Sequence, residues 1–171
     1  TGDTSVYSST AGTAGNYTGT SDDYVVSSDY LDRIQQVIEW SLKEGLVTVI
    51  DFHGSNLKSE FIYTFDTEET VYTHPTSEKR VADNQKFIAI WAQIAARFKN
   101  HSENLLFEVI NEPYFHMSAE EMNTLNTDIL AMIRASGGGN ATRNVIITGG
   151  GKTSHEAPTE INSSIISGNA Y

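Results

Sequence analysis

The segment Leu105-Leu106-Phe107-Glu108-Val109-Ile110-Asn111-Glu112-Pro113 decides the fold of this chain. An apolar run, interrupted once by Glu108, ends in Asn-Glu. Proline then stops it, because proline has no N–H to give a sheet. The run reads as a buried strand. Side chains alternate along a strand, so Leu106, Glu108, Ile110 and Glu112 share one face and Phe107 and Val109 the other. An unpaired carboxylate is costly to bury, so two glutamates on one strand face need a reason. Glu108 lies deeper and calls for an arginine or another hydrogen-bond donor. Glu112 stands at the C-terminal rim, where parallel barrels carry their chemistry. Asn111 beside it offers an amide that both donates and accepts. A structural ion-pair network is the competing reading for both glutamates.

The elements on either side alternate in type. Residues 1–27 are polar and aperiodic and read as loop. Ser28 or Asp29 can cap a helix whose apolar stripe is Leu31, Ile34, Ile38 and Leu42, broadened by Val37. Gly45 ends that helix. Leu46 to His53 is a short β-branched run and a strand candidate. Residues 54–77 form a long connection carrying Phe61, Tyr63, Phe65 and Tyr72; that length marks a functional or poorly ordered loop. A second helix runs from near Ser77 to about Lys99 on Phe87, Trp91, Ile94 and Phe98. After the Leu105–Glu112 strand, Ser118 and Glu121 form a capping-box pattern. Met122, Leu125, Ile129, Met132 and Ile133 mark a third helix, ended by Gly137-Gly138-Gly139. Asn144–Thr148 is a third strand, and residues 151–171 form a polar tail with an apolar patch at Ile165-Ile166.

Helix, strand, helix, strand, helix, strand is an α/β pattern with a parallel sheet and right-handed crossovers. It allows a doubly wound sheet or part of a (β/α)8 TIM barrel. No phosphate-binding glycine fingerprint follows a strand, since Gly149-Gly150-Gly151 lacks the required spacing. Three strands are about a third of a barrel of about 250 residues. The 171 residues therefore read as one incomplete domain, with βα units over about 28–150 and a truncated tail. The start at Thr1 reads as a processing site or fragment edge.

Composition narrows the chemistry. The formal charge of −11 opposes binding to nucleic-acid phosphates. No apolar run approaches the ~18 residues of a membrane span. The absence of cysteine excludes disulfides, thiol catalysis and Cys-based zinc sites. Asp51 and His53 end the Leu46–His53 strand on a shared face, and a rim histidine can bind a hydroxyl or orient a catalytic group. Structural service is the commoner fate of a lone histidine. His74, His101, His116 and His155 are scattered over loops, so no metal set emerges, and no cofactor is expected. The loop aromatics can stack on sugars or simply pin the loop. Sequons at Asn16, Asn100, Asn140 and Asn162 are no more than such a composition produces by chance.

Taken in order, Tyr30-Leu31-Asp32-Arg33-Ile34-Gln35, Glu44-Gly45-Leu46-Val47-Thr48-Val49-Ile50-Asp51-Phe52-His53-Gly54 and Trp91-Ala92-Gln93-Ile94-Ala95-Ala96-Arg97-Phe98 resemble glycoside hydrolase family 5. So do Leu106–Pro113 with its Asn-Glu-Pro signature, Arg134-Ala135-Ser136-Gly137-Gly138 and Val145-Ile146-Ile147-Thr148-Gly149. The resemblance covers about residues 24–150 and implies strands 3 to 5 of the barrel with their helices. It implies a retaining endo-β-1,4-glucanase of cellulase type, with mannan, xyloglucan and mixed-linkage glucan as alternative substrates. Glu112 would be the general acid/base, Asn111 would contact the sugar 2-hydroxyl, and His53 would line the same subsite. Glu108 would pair with an arginine on a strand this chain lacks. No nucleophile is expected here: Glu156 and Glu160 follow the fifth strand, where the family places none. An inactive fragment or half-barrel with weak glycan binding is the alternative. The expected setting is extracellular. The partner would be a β-glucan, with a second copy or missing barrel segments completing the sheet.

Overall fold

The computed structural model describes residues 25–52, 78–111, 118–150 and 157–166. Three parallel strands form its sheet: β1 (Thr48–Asp51), β2 (Leu105–Glu108) and β3 (Val145–Ile146), in that spatial order. The helices α1 (Ser28–Lys43), α2 (Glu78–Phe98) and α3 (Ala119–Ala135) alternate with them. A 3-10 turn (Gly138–Ala141) leads into β3, and a second one (Ala157–Glu160) precedes the short α4 (Ser163–Ile166).

The helices cover one face of the sheet. Ile50, Phe52, Leu105, Phe107, Val109 and Val145 are buried there, against Phe87, Trp91, Ile94 and Phe98 of α2 and Met122, Leu125, Ile129 and Ile133 of α3. Phe52 meets Phe87 edge-on at 4.8 Å. The buried Trp91 indole N–H is satisfied by the Val109 carbonyl at 3.0 Å, which ties α2 to the strand end. On the other face Val49 is 44% exposed, and Leu106, Asp51 and Glu108 are only partly covered. Among the described residues the sheet does not close, as a third of a barrel should not.

The loops under the strands are fastened by one buried guanidinium. Arg143 donates to the carbonyls of Phe98, His101, Ser102 and Leu105 and to Asn140 Oδ1, and it lies 4.9 Å from the Phe107 ring centroid. Burial, and then the nearby Arg134, lower its pKa. Its acceptors are carbonyl dipoles, the group that a helix C-terminus offers in excess. Asn140 is equally enclosed: its amide nitrogen donates to Ala95 and Ser136, and its oxygen accepts from Arg143. A glycan cannot reach that sequon in the folded chain. The turn above it needs glycine. Gly138 has φ +60°, and a Cβ there would stand 2.8 Å from the Lys99 carbonyl oxygen.

Several expected boundaries shift. The helix α1 begins at Ser28 after Ser27, with no side-chain cap bond, and Asp29 instead faces the positive end of the helix dipole from the first turn. Val37 does not join the stripe; it is 56% exposed. Leu46 and Val47 stay out of β1 because the Leu46 N–H closes the helix end onto the Ser41 carbonyl. The Ser118–Glu121 capping box forms as expected. The tail is more structured than its composition suggests: Asn123 of α3 donates to the Glu160 carbonyl and accepts from the Asn162 N–H, fixing the turn and α4 on that helix.

Candidate active site

The rim is built from the C-terminal ends of β1, β2 and β3. In the β1–β2 register Val49 faces Leu106 and Asp51 faces Glu108. Asp51 and Glu108 are therefore cross-strand neighbours on the uncovered face, below the rim, and each has a partner. Like charges side by side in a sheet repel unless other groups compensate. The Glu108 position is thus one that needs a donor, as the sequence suggests.

The rim departs from simple alternation. Along β2 the odd residues direct their N–H groups to β3: Phe107 donates to Asn144 and Val109 to Ile146. On the other side, the Thr48 N–H goes to the Asn104 carbonyl. Continuing that pattern would bring the Ile110 N–H to the Phe52 carbonyl. Asn111 makes this bond instead, at 3.2 Å. The pairing of β1 with β2 ends at Asp51 and Glu108, and the bond beyond it is shifted by one residue. The backbone phase of Leu106 and Glu108 is taken up by Asn111, not by Ile110, which is buried. Past Glu108, where β2 ends, Val109 and Ile110 are both buried, so the expected alternation does not carry on to Ile110.

Asn111 is thus placed where the end of β2 meets the end of β1, partly buried. The other two predicted rim residues, Glu112 and His53, lie outside the described residues, as do Glu156 and the aromatics of 54–77. Glu160 is described and belongs to the turn held on α3 by Asn123, not to a strand end. His101 follows α2, with its ring against Phe98 and Nε2 3.6 Å from Glu39, so it serves helix packing.

Two rim features escape a first reading of the sequence. Asn126 of α3 is fully buried; its Nδ2 donates to the Thr148 carbonyl just past β3, and its Oδ1 has no partner among the described residues. The signal for it is a polar residue four positions after Met122, in line with the apolar stripe. Gly149 is the second: a Cβ there would stand 2.0 Å from the Ala157 carbonyl oxygen, so the chain crosses itself closely beyond β3.

This order of elements matches known proteins. The family described as "Cellulase (glycosyl hydrolase family 5)" matches residues 8–166. The chain belongs to glycosyl hydrolase family 5. Endoglucanase H of Acetivibrio thermocellus is 38% identical over 135 residues, 79% of this chain and 13% of that protein. Endoglucanase 1 of Ruminococcus albus is 30% identical over 167 residues, 88% of this chain and 37% of that protein. A trimodular family 5 (subfamily 4) endo-β-1,4-glucanase from Bacillus licheniformis, solved with cellotetraose, superimposes with a TM-score of 0.65 at 31% identity. It is matched over 88% of this chain and 27% of its own. A xyloglucan-specific family 5 endo-β-1,4-glucanase from a metagenomic library, solved with cellotriose, gives 0.63 at 25% identity, over 88% and 44% of the two chains. The family 5 chain thus spans about a third or less of these two curated relatives, and its open sheet is part of a TIM barrel.

Proposed function

We propose that this chain is the acid/base portion of a secreted, retaining endo-β-1,4-glucanase, with Glu112 as the general acid/base. The carrying observation is the shifted bond from Asn111 to Phe52, which sets the residue before Glu112 into the junction of two strand ends. A retaining glycosidase protonates the leaving oxygen from one carboxyl and attacks from a second about 5 Å away. Asn111 next to Glu112 would hold the 2-hydroxyl of the sugar being cleaved, and His53 would line the same subsite. Glu108, a residue deeper in the sheet, would tune the site through an arginine from a neighbouring strand. The endoglucanase names of the relatives and the cello-oligosaccharides in two solved neighbours support a β-glucan substrate. The xyloglucan-specific neighbour favours a decorated glucan as the second choice. A polymer too large to enter a cell favours an extracellular setting.

The nucleophile would come from a strand outside this chain, so the chain alone would be inert or at most bind glycan weakly. The test is Glu112→Gln in a complete catalytic domain carrying this segment. Loss of the proton donor should lower turnover of carboxymethylcellulose by about 10²- to 10⁴-fold. An aryl cellobioside with a good leaving group should lose far less in its first step. Equal losses on both substrates would reject Glu112 as the acid.

A further inference from the structure

We draw no further inference here: the strongest candidate, the exposed apolar face formed by Val37 and Trp40 of α1 with Leu46, Val47 and Val49 beside the open edge of β1, restates the barrel of the family, and nothing else in the structure shows what covers it.

Discussion

The Asn111 N–H donates to the Phe52 carbonyl, a bond that unbroken pairing of β1 and β2 would assign to Ile110. The main chain, not the side chain, makes this link. Replacing the side chain leaves that link in place. In a complete catalytic domain, Asn111→Ala should cost about 1 kcal/mol of stability or less, the scale of one side-chain hydrogen bond. If the amide grips the 2-hydroxyl more tightly in the transition state, kcat/KM on cello-oligosaccharides should fall by about 10²-fold or more. A matching 2-deoxy substrate should be cleaved equally by both forms. Equal losses on the two substrates would show that Asn111 shapes the rim without touching that hydroxyl.

Arg143 supports a prediction about stability alone. Arg143→Met keeps most of the apolar stem but leaves the carbonyls of His101 and Leu105 without their guanidinium donor, while those of Phe98 and Ser102 keep the backbone N–H groups of His101 and Leu105. Orphaning buried acceptors of a charged group should cost about 3 kcal/mol or more. Arg143→Lys should be intermediate, since one ammonium cannot span acceptors placed for a planar fork. Urea unfolding midpoints of the catalytic domain would measure this. A shift worth under about 1 kcal/mol would mean that water replaces the guanidinium.

The layout of the fold was legible because it follows from periodicity. Phe87, Trp91, Ile94 and Phe98 recur at helical spacing and are buried, and Phe107 and Val109 are buried on the strand face expected to meet helices. Asn111 was legible as a rim residue through its place before Glu112. Its phase was not, because a one-residue shift beyond the end of a strand leaves no mark in composition. Arg143 and Asn140 were silent for another reason. Their partners lie about 40 residues away, at Phe98, His101, Ser102, Leu105 and Ala95, and are backbone carbonyls, which every residue carries. Val37 was misassigned because an apolar residue beside the stripe looks the same in sequence whether it is exposed or buried, and Leu46 because its N–H closes the preceding helix on the Ser41 carbonyl.

Two glycines should fail in different places when given a methyl group. Gly149→Ala would press Cβ onto the Ala157 carbonyl, and Gly138→Ala would press it onto that of Lys99 while holding φ at +60°. Both contacts are with backbone, so no rotamer relieves them. Each should cost about 1–3 kcal/mol. Hydrogen exchange locates the damage. The Gly149 variant should speed exchange in the turn and α4 over 157–166, and the Gly138 variant at the end of α2 and in the turn 138–141. Exchange raised evenly across the chain in both variants would mean that the contacts only lower global stability.

The last prediction concerns the chain on its own. Helices bury one face of the sheet, while Val49 and its neighbours are left open on the other. At the edge of β1, the odd residues Val49 and Asp51 direct their backbone groups away from β2, toward no strand among the described residues. Beside that edge Trp40 is 59% exposed and Val47 64%. An uncovered apolar face next to an open parallel edge is a template for association. We therefore expect the isolated 171 residues to sediment at micromolar concentration as a dimer or larger species and to bind an apolar dye. A companion chain carrying the rest of a family 5 barrel should displace the dye and sharpen the unfolding transition. It should also bring glucan hydrolysis that Glu112→Gln removes. A cooperative, dye-free monomer at that concentration would contradict this, because it would mean that the face and edge left open among the described residues need no second chain to cover them.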